Sequence, residues 1–154
     1  MKKQQSDWQD HATRLASLRG VRLTSKRARI LALLQQQDRP LSAYQLVEQY
    51  ATRYQEAVKP MSVYRMLDAL MEAELVHRLD STNTYVACHD DGHDCGDHGI
   101  QFLICDQCER VVERPISNTL LRSMTRDLQA VGFSSVRHQL ELHGLCSSCT
   151  EQAR

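Results

Sequence analysis

The chain has 154 residues with 19 basic and 19 acidic side chains, so its formal net charge is zero. A hydrophobic content of 42% and a charged content of 25% are typical of a soluble globular protein. No apolar run approaches the roughly 20 residues that cross a bilayer, and the polar N-terminus has no signal-peptide core, so we expect a cytoplasmic protein.

Charges and cysteines are unevenly distributed along the chain. Residues 1–86 hold 13 Lys and Arg against 9 Asp and Glu, whereas residues 87–154 hold 6 against 10. A basic half favours a polyanionic partner, with chance unevenness of surface charge as the alternative. All six cysteines lie between Cys88 and Cys149, and five of the seven histidines share that half. In a reducing compartment this clustering favours metal binding over disulfides.

The first two predicted elements are helices. Residues 7–19 form one that Gly20 stops, since glycine suits the position after a helix end. Residues 26–37 form the next, which Thr24 or Ser25 caps. The apolar face of this second helix consists of Ile30, Leu31, Leu33 and Leu34.

Two further helices follow. Residues 42–54 open with a capping box from Ser42 to Gln45, and after Pro60 we expect Ser62 to cap the fourth helix. Their apolar faces consist of Leu46, Val47 and Tyr50 in the third helix and of Val63, Met66, Leu67 and Leu70 in the fourth.

A β-hairpin is predicted next, because apolar residues alternate on both sides of "DSTN" in "LVHRLDSTNTYVAC". Helices followed by a hairpin are the order of a winged helix-turn-helix, in which the last helix enters the DNA and the hairpin is the wing. We therefore assign residues 1–86 to a winged-helix DNA-binding domain. A small helical bundle with a hairpin and no DNA role is the alternative.

Residues 87–99 are predicted to be a hinge, because "HDDGHDCGDHG" is rich in glycine, acid and histidine and has no helical or strand period. Residues 100–154 follow as a small α/β domain. The strands "IQFLIC" and "RVVERP" flank a turn, a helix begins near Ser117 and ends at Gly132, and "FSSVRHQLELHG" returns as a strand. The chain as a whole is predicted to be α+β.

Two Cys-x-x-Cys pairs stand at the ends of this second domain, Cys105 with Cys108 and Cys146 with Cys149. Tetrahedral Zn²⁺ binds four thiolates, and a two-residue spacer lets one turn present two sulfurs to one ion. The 37 intervening residues exceed a compact zinc ribbon, but a strand–helix–strand unit returns the second pair beside the first. The sequence therefore predicts a structural zinc site.

Other chemistries of cysteine and histidine fit less well. Two thioredoxin-like motifs are the main alternative, and we expect neither pair to open a helix after a strand as that chemistry prefers. A zinc deaminase needs H-x-E with P-C-x-x-C, and a metalloprotease needs H-E-x-x-H; the sequence has none of these. We expect no enzymatic activity.

A second constellation is formed by His77, Cys88, His98 and Glu113, which come from the wing, the hinge and the second domain. Taken singly, these residues read as a surface histidine, a buried cysteine and a solvated glutamate. Taken together, a mixed N/S/O set from both halves makes a sensor, because a bound metal selects one interdomain geometry.

Several segments in order resemble the ferric uptake regulator (Fur) superfamily: "LTSKRARIL", "KPMSVYRMLDAL", "STNTYVACH", "FLICDQC" and "HGLCSSC". The resemblance covers about residues 10–150 and is strongest to the zinc uptake regulators within that superfamily. It implies a homodimeric, metal-dependent repressor of transcription that binds a double-stranded DNA operator, with an N-terminal winged helix and a C-terminal dimerisation domain.

The resemblance also assigns residues to roles. It implies structural zinc at Cys105, Cys108, Cys146 and Cys149, and sensory zinc at His77, Cys88, His98 and Glu113, about two ions per chain. Tyr44, Tyr64 and Arg65 match positions that meet DNA in relatives, and we add Ser62, Arg27 and Lys59 as further candidates for DNA contact. Arg65 suits a bidentate guanine contact, while Arg27 and Lys59 suit phosphates.

The choice of metal follows from the ligands. A thiolate at Cys88 with imidazoles favours Zn²⁺ over harder Fe²⁺ or Mn²⁺. Iron-, manganese- and peroxide-sensing relatives, the alternative, usually carry a His/Asp cluster before the first cysteine pair, where this chain has Gln101 and Phe102. His138 is a candidate for an additional site in the second domain. In the hinge, His89, His93 and Cys95 are candidates for a further zinc site, with a solvated loop as the alternative.

Overall fold

A computed structural model describes residues 2–88, 99–134 and 139–152, and for residues 2–9 the helical backbone only. The chain forms two compact units, residues 1–88 and 89–154, which are called unit 1 and unit 2 below. Among the described helices, none combines the length and the apolar character that a bilayer crossing requires.

Unit 1 contains four helices and a hairpin. The helices are α1 (Lys2–Leu18), α2 (Ser25–Gln35), α3 (Ala43–Tyr54) and α4 (Pro60–Glu72), and the hairpin pairs β1 (Val76–Leu79) with β2 (Thr84–Ala87). Leu41 adds a single antiparallel bridge to Tyr85 through backbone bonds of 3.0 and 2.8 Å. These elements and their order are those of a winged helix-turn-helix, as the sequence predicts.

The predicted helix ends are mostly confirmed. Gly20 adopts φ 70°, and the N–H of Val21 donates to the carbonyl of Ala16 at 2.8 Å, which closes α1. Thr24 caps α2, and Ser42 with Gln45 forms the predicted capping box of α3.

The predicted cap of α4 is wrong. The helix begins at Pro60, two residues before Ser62, and its N-cap is Lys59, which makes no side-chain capping bond. Proline at the first helical position needs no N–H partner and has its φ already set for the helix, so the backbone starts earlier than a side-chain cap would place it. Ser62 is left exposed on the first turn.

The core of unit 1 lies between α2, α3 and α4, under the hairpin. The predicted apolar faces are buried there, except that Val47 is only half-buried. Ala12 and Ala16, four residues apart on α1, are fully buried and let that helix approach the same core.

Unit 2 is a three-stranded sheet with two helices. The strands are β3 (Ile100–Cys105), β4 (Val111–Pro115) and β5 (Gln139–Gly144), and the helices are α5 (Asn118–Ala130) and α6 (Ser147–Gln152). In the sheet, β3 is central, antiparallel to β4 and parallel to β5. Ser117 caps α5 and Gly132, at φ 87°, follows its end, both as predicted.

Candidate metal centre and nucleic-acid interface

The first cysteine pair lies on the turn between β3 and β4. Cys105 is the last residue of β3, and its carbonyl accepts from the N–H of Glu109 at 2.9 Å. The N–H of Cys105 donates to the carbonyl of Arg110 at 3.0 Å, and Glu109 adopts φ 61°. This tight turn directs the side chains of Cys105 and Cys108 to the same place.

The second pair is brought to the first by the parallel pairing of β5 with β3. Cys105 is the register partner of Gly144, and the N–H of Asp106 donates to the carbonyl of Gly144 at 2.8 Å. Two residues after this contact, Cys146 lies directly before α6, which carries Cys149 in its first turn. The expectation that neither pair opens a helix after a strand is therefore wrong for the second pair.

The four sulfurs fit a tetrahedral zinc ion. All four Sγ atoms lie within 4.8 Å of one another, and the Sγ atoms of Cys108 and Cys146 are 3.7 Å apart. Four sulfurs held about 2.3 Å from one tetrahedral ion stand about 3.8 Å apart, so the observed spacing is that of the edge of such a site. A pair of separate redox motifs would not require all four sulfurs at one point.

The thiols of this cluster differ in acidity. Backbone N–H groups of Cys108, Cys146 and Gln107 point at the Cys105 sulfur and lower its pKa to about 6. A side-chain hydrogen bond with Cys146, together with burial, raises the pKa of Cys149 to about 12. Four thiolates at one point repel one another unless a cation joins them, so zinc binding here releases protons and weakens in acid.

Two contacts that support the cluster have no sequence motif. The N–H of Cys146 donates to the Sγ of Cys105 at 3.3 Å, and Nδ1 of His143 lies 2.8 Å from Oδ1 of Asp106. The second contact joins β5 to the turn of the first pair. Its partners are 37 residues apart, and only the parallel strand register brings them together.

The wing brings two of the predicted sensory ligands together. His77 on β1 is the register partner of Val86, and Cys88 lies two residues beyond Val86, so both side chains are on one face of the hairpin. A ring nitrogen of His77 and the Sγ of Cys88 lie within 4.8 Å of each other. Backbone pairing of Cys88 with Leu75, at 3.0 Å, fixes this end of the hairpin.

The other predicted metal ligands are placed only in part. Glu113 belongs to unit 2, on β4, where it is half-buried opposite Phe102. The remaining candidates lie outside the described residues: His98 of the sensory set, His89, His93 and Cys95 of the hinge, and His138.

A groove of about 650 Å³ lies between the N-terminal ends of α2 and α4 in unit 1. Four of the six residues predicted to meet DNA line it, namely Arg27, Lys59, Ser62 and Arg65. Lys26 also lines the groove and is missing from the prediction, although its place beside Arg27 on the first turn of α2 was a signal for it. The groove therefore concentrates positive charge at two helix N-termini, where the helix dipoles add to it.

The two predicted tyrosines lie outside this groove. Tyr44 is 64% exposed on the first turn of α3, whereas Tyr64 is half-buried on α4 and packs against the core of unit 1. Tyr44 is therefore free to approach a large partner, while Tyr64 also has a packing role.

An ion-pair network fixes the loop behind the groove. Glu56 accepts from Lys26 at 2.6 Å through one oxygen and from Arg29 at 2.8 Å through the other. Arg29 also lies over the ring of Tyr54, with 4.8 Å to the centroid. The hydrogen bond from Lys26 is the main cause that holds the pKa of Glu56 below 4.5. The network joins α2 to the loop that leads into α4.

The sequence profile of the Ferric uptake regulator family matches residues 18–143. The zinc uptake regulation protein of Escherichia coli is 38% identical over 146 residues, which cover 91% of this chain and 80% of that protein.

Two solved structures are similar over nearly their whole length. A zinc uptake regulator complexed with zinc and DNA has a TM-score of 0.84 and 34% identity, covering 96% of each chain. Holo XcZur has a TM-score of 0.80 and 36% identity, covering 94% of this chain and 98% of that one.

Proposed function

The chain belongs to the Ferric uptake regulator family, and on that premise we propose that it is a zinc-responsive repressor that binds operator DNA and controls zinc uptake genes. The observation that carries the proposal is the likeness, over nearly the whole chain, to a regulator that holds both zinc and DNA. The iron-, manganese- or peroxide-sensing alternative within the family lacks such support.

The structural zinc is held by Cys105, Cys108, Cys146 and Cys149. The spacing of the four sulfurs supports this assignment, since it fits one tetrahedral ion. Zinc at this point joins the β3–β4 turn to the start of α6 and so fixes both ends of unit 2. When bound, the ion supplies folding free energy and no redox chemistry.

The sensory zinc is held by His77, Cys88, His98 and Glu113. The closeness of His77 and Cys88 on one face of the wing supports the first half of this set. A thiolate with imidazoles selects Zn²⁺ over Mn²⁺ or Fe²⁺. Because the ligands come from both units, zinc binding would favour one arrangement of the winged helices. With about one structural and one sensory ion, we expect about two zinc ions per chain.

DNA is bound by the basic surface of unit 1. Arg65, exposed on the second turn of α4, makes a bidentate guanine contact, which is worth about 1–3 kcal/mol of discrimination. Arg27 and Lys59 hold phosphates from the two sides of the groove, and Ser62 lies between them. Tyr44 contributes from the first turn of α3 and Tyr64 from the second turn of α4.

The chain acts as a homodimer through unit 2. Leu103, Val112 and Leu142 are register partners on β3, β4 and β5, so they form one apolar row across the sheet. Leu103 is 40% and Leu142 48% exposed, and α5 has no buried residue despite apolar side chains at helical spacing. A second copy of this surface would cover it. The two copies of α4 in the dimer would then meet successive major grooves of a palindromic operator.

Two further assignments concern the hinge and the location of the protein in the cell. Beyond those two ions, the hinge residues His89, His93 and Cys95 would form a further, weak zinc site, whose donors suit the ion and which fills only at higher free zinc. As a regulator of transcription, the protein acts in the cytoplasm. The metal content of the intact chain tests the hinge site, and the location of the protein in fractionated cells tests the second assignment.

The decisive experiment is operator binding against buffered free Zn²⁺, with Fe²⁺ and Mn²⁺ as controls. We expect zinc alone to produce tight binding at low free concentration, and protein purified without added metal to carry one to two zinc ions per chain. Binding that follows Fe²⁺, or protein with titratable disulfides and no zinc, would contradict the proposal.

The sensory site is tested with Cys88→Ser. We expect the variant to remain a folded dimer with its structural zinc but to need far more free zinc for operator binding, because it lacks a thiolate ligand. Thr84→Ser, in the same hairpin, is the matched control and keeps the zinc response. If Cys88→Ser represses normally at low free zinc, the sensory assignment is wrong.

A further inference from the structure

The exposed side of α4 changes character along its length. Met61, Arg65, Asp68 and Glu72 are all exposed and are spaced by four, three and four residues, which places them on one stripe of the helix. Met61 begins the stripe, is 65% exposed and takes no part in the core. The stripe therefore runs from an apolar tip, through a cation, to two acids.

This order decides which end of the helix can approach DNA. Asp68 and Glu72 repel phosphates, so the C-terminal half of the stripe is kept away from a nucleic acid. The N-terminal end is next to Lys59 and Arg65, which line the basic groove. Met61 is therefore at the end of the helix that charge directs toward the DNA.

Large exposed apolar side chains are few in unit 1. Among its described side chains they are Leu18, Tyr44 and Met61. Two of these three stand on the first turns of α3 and α4, the helices of the helix-turn-helix. Scattered exposed apolar residues need no explanation, but this placement puts Met61 beside the proposed base-reading residue Arg65.

The base edges in the major groove offer one apolar feature, the C5 methyl group of thymine. We propose that Met61 contacts a thymine methyl and so makes the protein select thymine at one position of each half-site. The inference rests on the proposed DNA-binding function and adds a specificity-determining residue to it. The long unbranched side chain of Met61 suits this contact, because it can change rotamer to follow a methyl group at little energetic cost.

Helix geometry sets the position of the thymine. Four residues separate Met61 from Arg65, which is about 6 Å along the helix axis, and base pairs stack about 3.4 Å apart. The selected thymine therefore lies within about two base pairs of the guanine that Arg65 reads.

The experiment removes the methyl from the DNA and the side chain from the protein, separately and together. A duplex is first selected from a random-sequence library by the zinc-loaded full-length protein. Each thymine is then replaced in turn by deoxyuridine, which pairs identically and lacks only the methyl, and binding is measured by fluorescence anisotropy at one salt concentration. The proteins are wild type, Met61→Ala, Met61→Leu and, as a matched control, Leu18→Ala.

We expect one uracil position per half-site to weaken wild-type binding about fourfold, which corresponds to one lost methyl contact. In Met61→Ala this loss disappears and binding to the thymine duplex is already weaker, while Met61→Leu retains part of the thymine preference. Leu18→Ala keeps the wild-type profile, and thermal unfolding checks that all variants are folded.

Two results would overturn the inference, and they differ from failure of the proposed function. A uracil profile that is the same in wild type and Met61→Ala contradicts the methyl contact while DNA binding stands. The same conclusion follows if the position sensitive to Met61 lies far from the guanine sensitive to Arg65→Ala. Wild-type protein that selects no sequence with zinc present would overturn the proposed function itself, and the inference with it.

Discussion

Unit 1 and unit 2 maintain their folds by different means. Of the buried apolar residues in the described part of the chain, 21 belong to unit 1 and five to unit 2. The exposed large hydrophobic side chains show the opposite distribution, with three in unit 1 and six in unit 2. Unit 1 therefore has a core of its own, whereas unit 2 leaves apolar surface uncovered.

The physical reason is size. A domain of about 60 residues can bury only about 60% of the surface of its unfolded chain, and small domains compensate with metals, disulfides or oligomerisation. Unit 2 has the residues for a metal and for oligomerisation. Two of its five described buried residues are the candidate zinc ligands Cys105 and Cys149, and its exposed leucines suit a partner subunit. On the proposed function, a structural zinc and a partner subunit would do for unit 2 what a core of its own does for unit 1.

The largest effect is expected from Cys105→Ser. One missing thiolate removes most of a structural zinc affinity, which is about 10–16 kcal/mol in zinc-finger peptides and is available only to the folded state. Amide hydrogen exchange should show unit 2 losing protection and the dimer dissociating, while the helices of unit 1 stay protected.

Ser148→Ala, between the cysteines of the second pair, is the control and should change neither zinc content nor exchange. A Cys105→Ser protein that remains dimeric, protected in unit 2 and competent for DNA would show that unit 2 does not depend on the metal.

Leu67→Ala tests whether unit 1 is stabilised by its own apolar core. Leu67 is fully buried in α4, so its truncation should lower the free energy of unfolding of unit 1 by about 2–5 kcal/mol. Denaturant titration measures the loss, and the zinc content of unit 2 should be unchanged. Leu18→Ala, at a side chain 75% exposed, should cost almost nothing. Equal losses from the two substitutions would contradict the assignment of the core.

Leu142→Ser tests the uncovered surface of unit 2. If a partner subunit covers this row, each chain loses about 1.5–3 kcal/mol of apolar burial at the interface, and the dimer dissociates at higher protein concentration. Sedimentation equilibrium measures this, with Glu151→Ala on α6 as an exposed control in the same unit. An unchanged dimerisation constant would mean that the row is not at the interface.

The smallest effect is expected from Glu56→Gln, which tests whether surface ion pairs add to the core of unit 1. Lys26 and Arg29 lower the pKa of Glu56 from 4.5 in the folded state, so the stabilisation is present above about pH 4.5 and is lost as the pH falls below it. The unfolding free energies of wild type and Glu56→Gln should therefore differ slightly at neutral pH and converge in acid. A difference that grows as the pH falls would have the wrong sign for this cause.

Local patterns predicted unit 1 well, because its helices obey near-neighbour rules. The spacing of Val63, Met66 and Leu70 marks a helical face, and Ser42 with Gln45 marks a start by a bond within one turn. The start of α4 was mistaken because Pro60 and Ser62 both qualify and the sequence does not rank them. The bridge from Leu41 to Tyr85 was missed, since a single long-range backbone pair has no periodicity.

The sequence by itself determined which residues are candidates for binding metal and DNA: two cysteine pairs, a histidine in the wing with a cysteine at the wing's end, and a basic first half. Only the tertiary structure decided that four sulfurs separated by up to 44 positions meet within 4.8 Å, that Asp106 reaches His143, and that Lys26 shares a groove with Lys59 and Arg65. The physical reason is that spacing along the chain specifies which atoms one turn can present together. The register of β3 with β5 and the packing of α2 on α4 are set instead by contacts between distant segments, which no local pattern encodes.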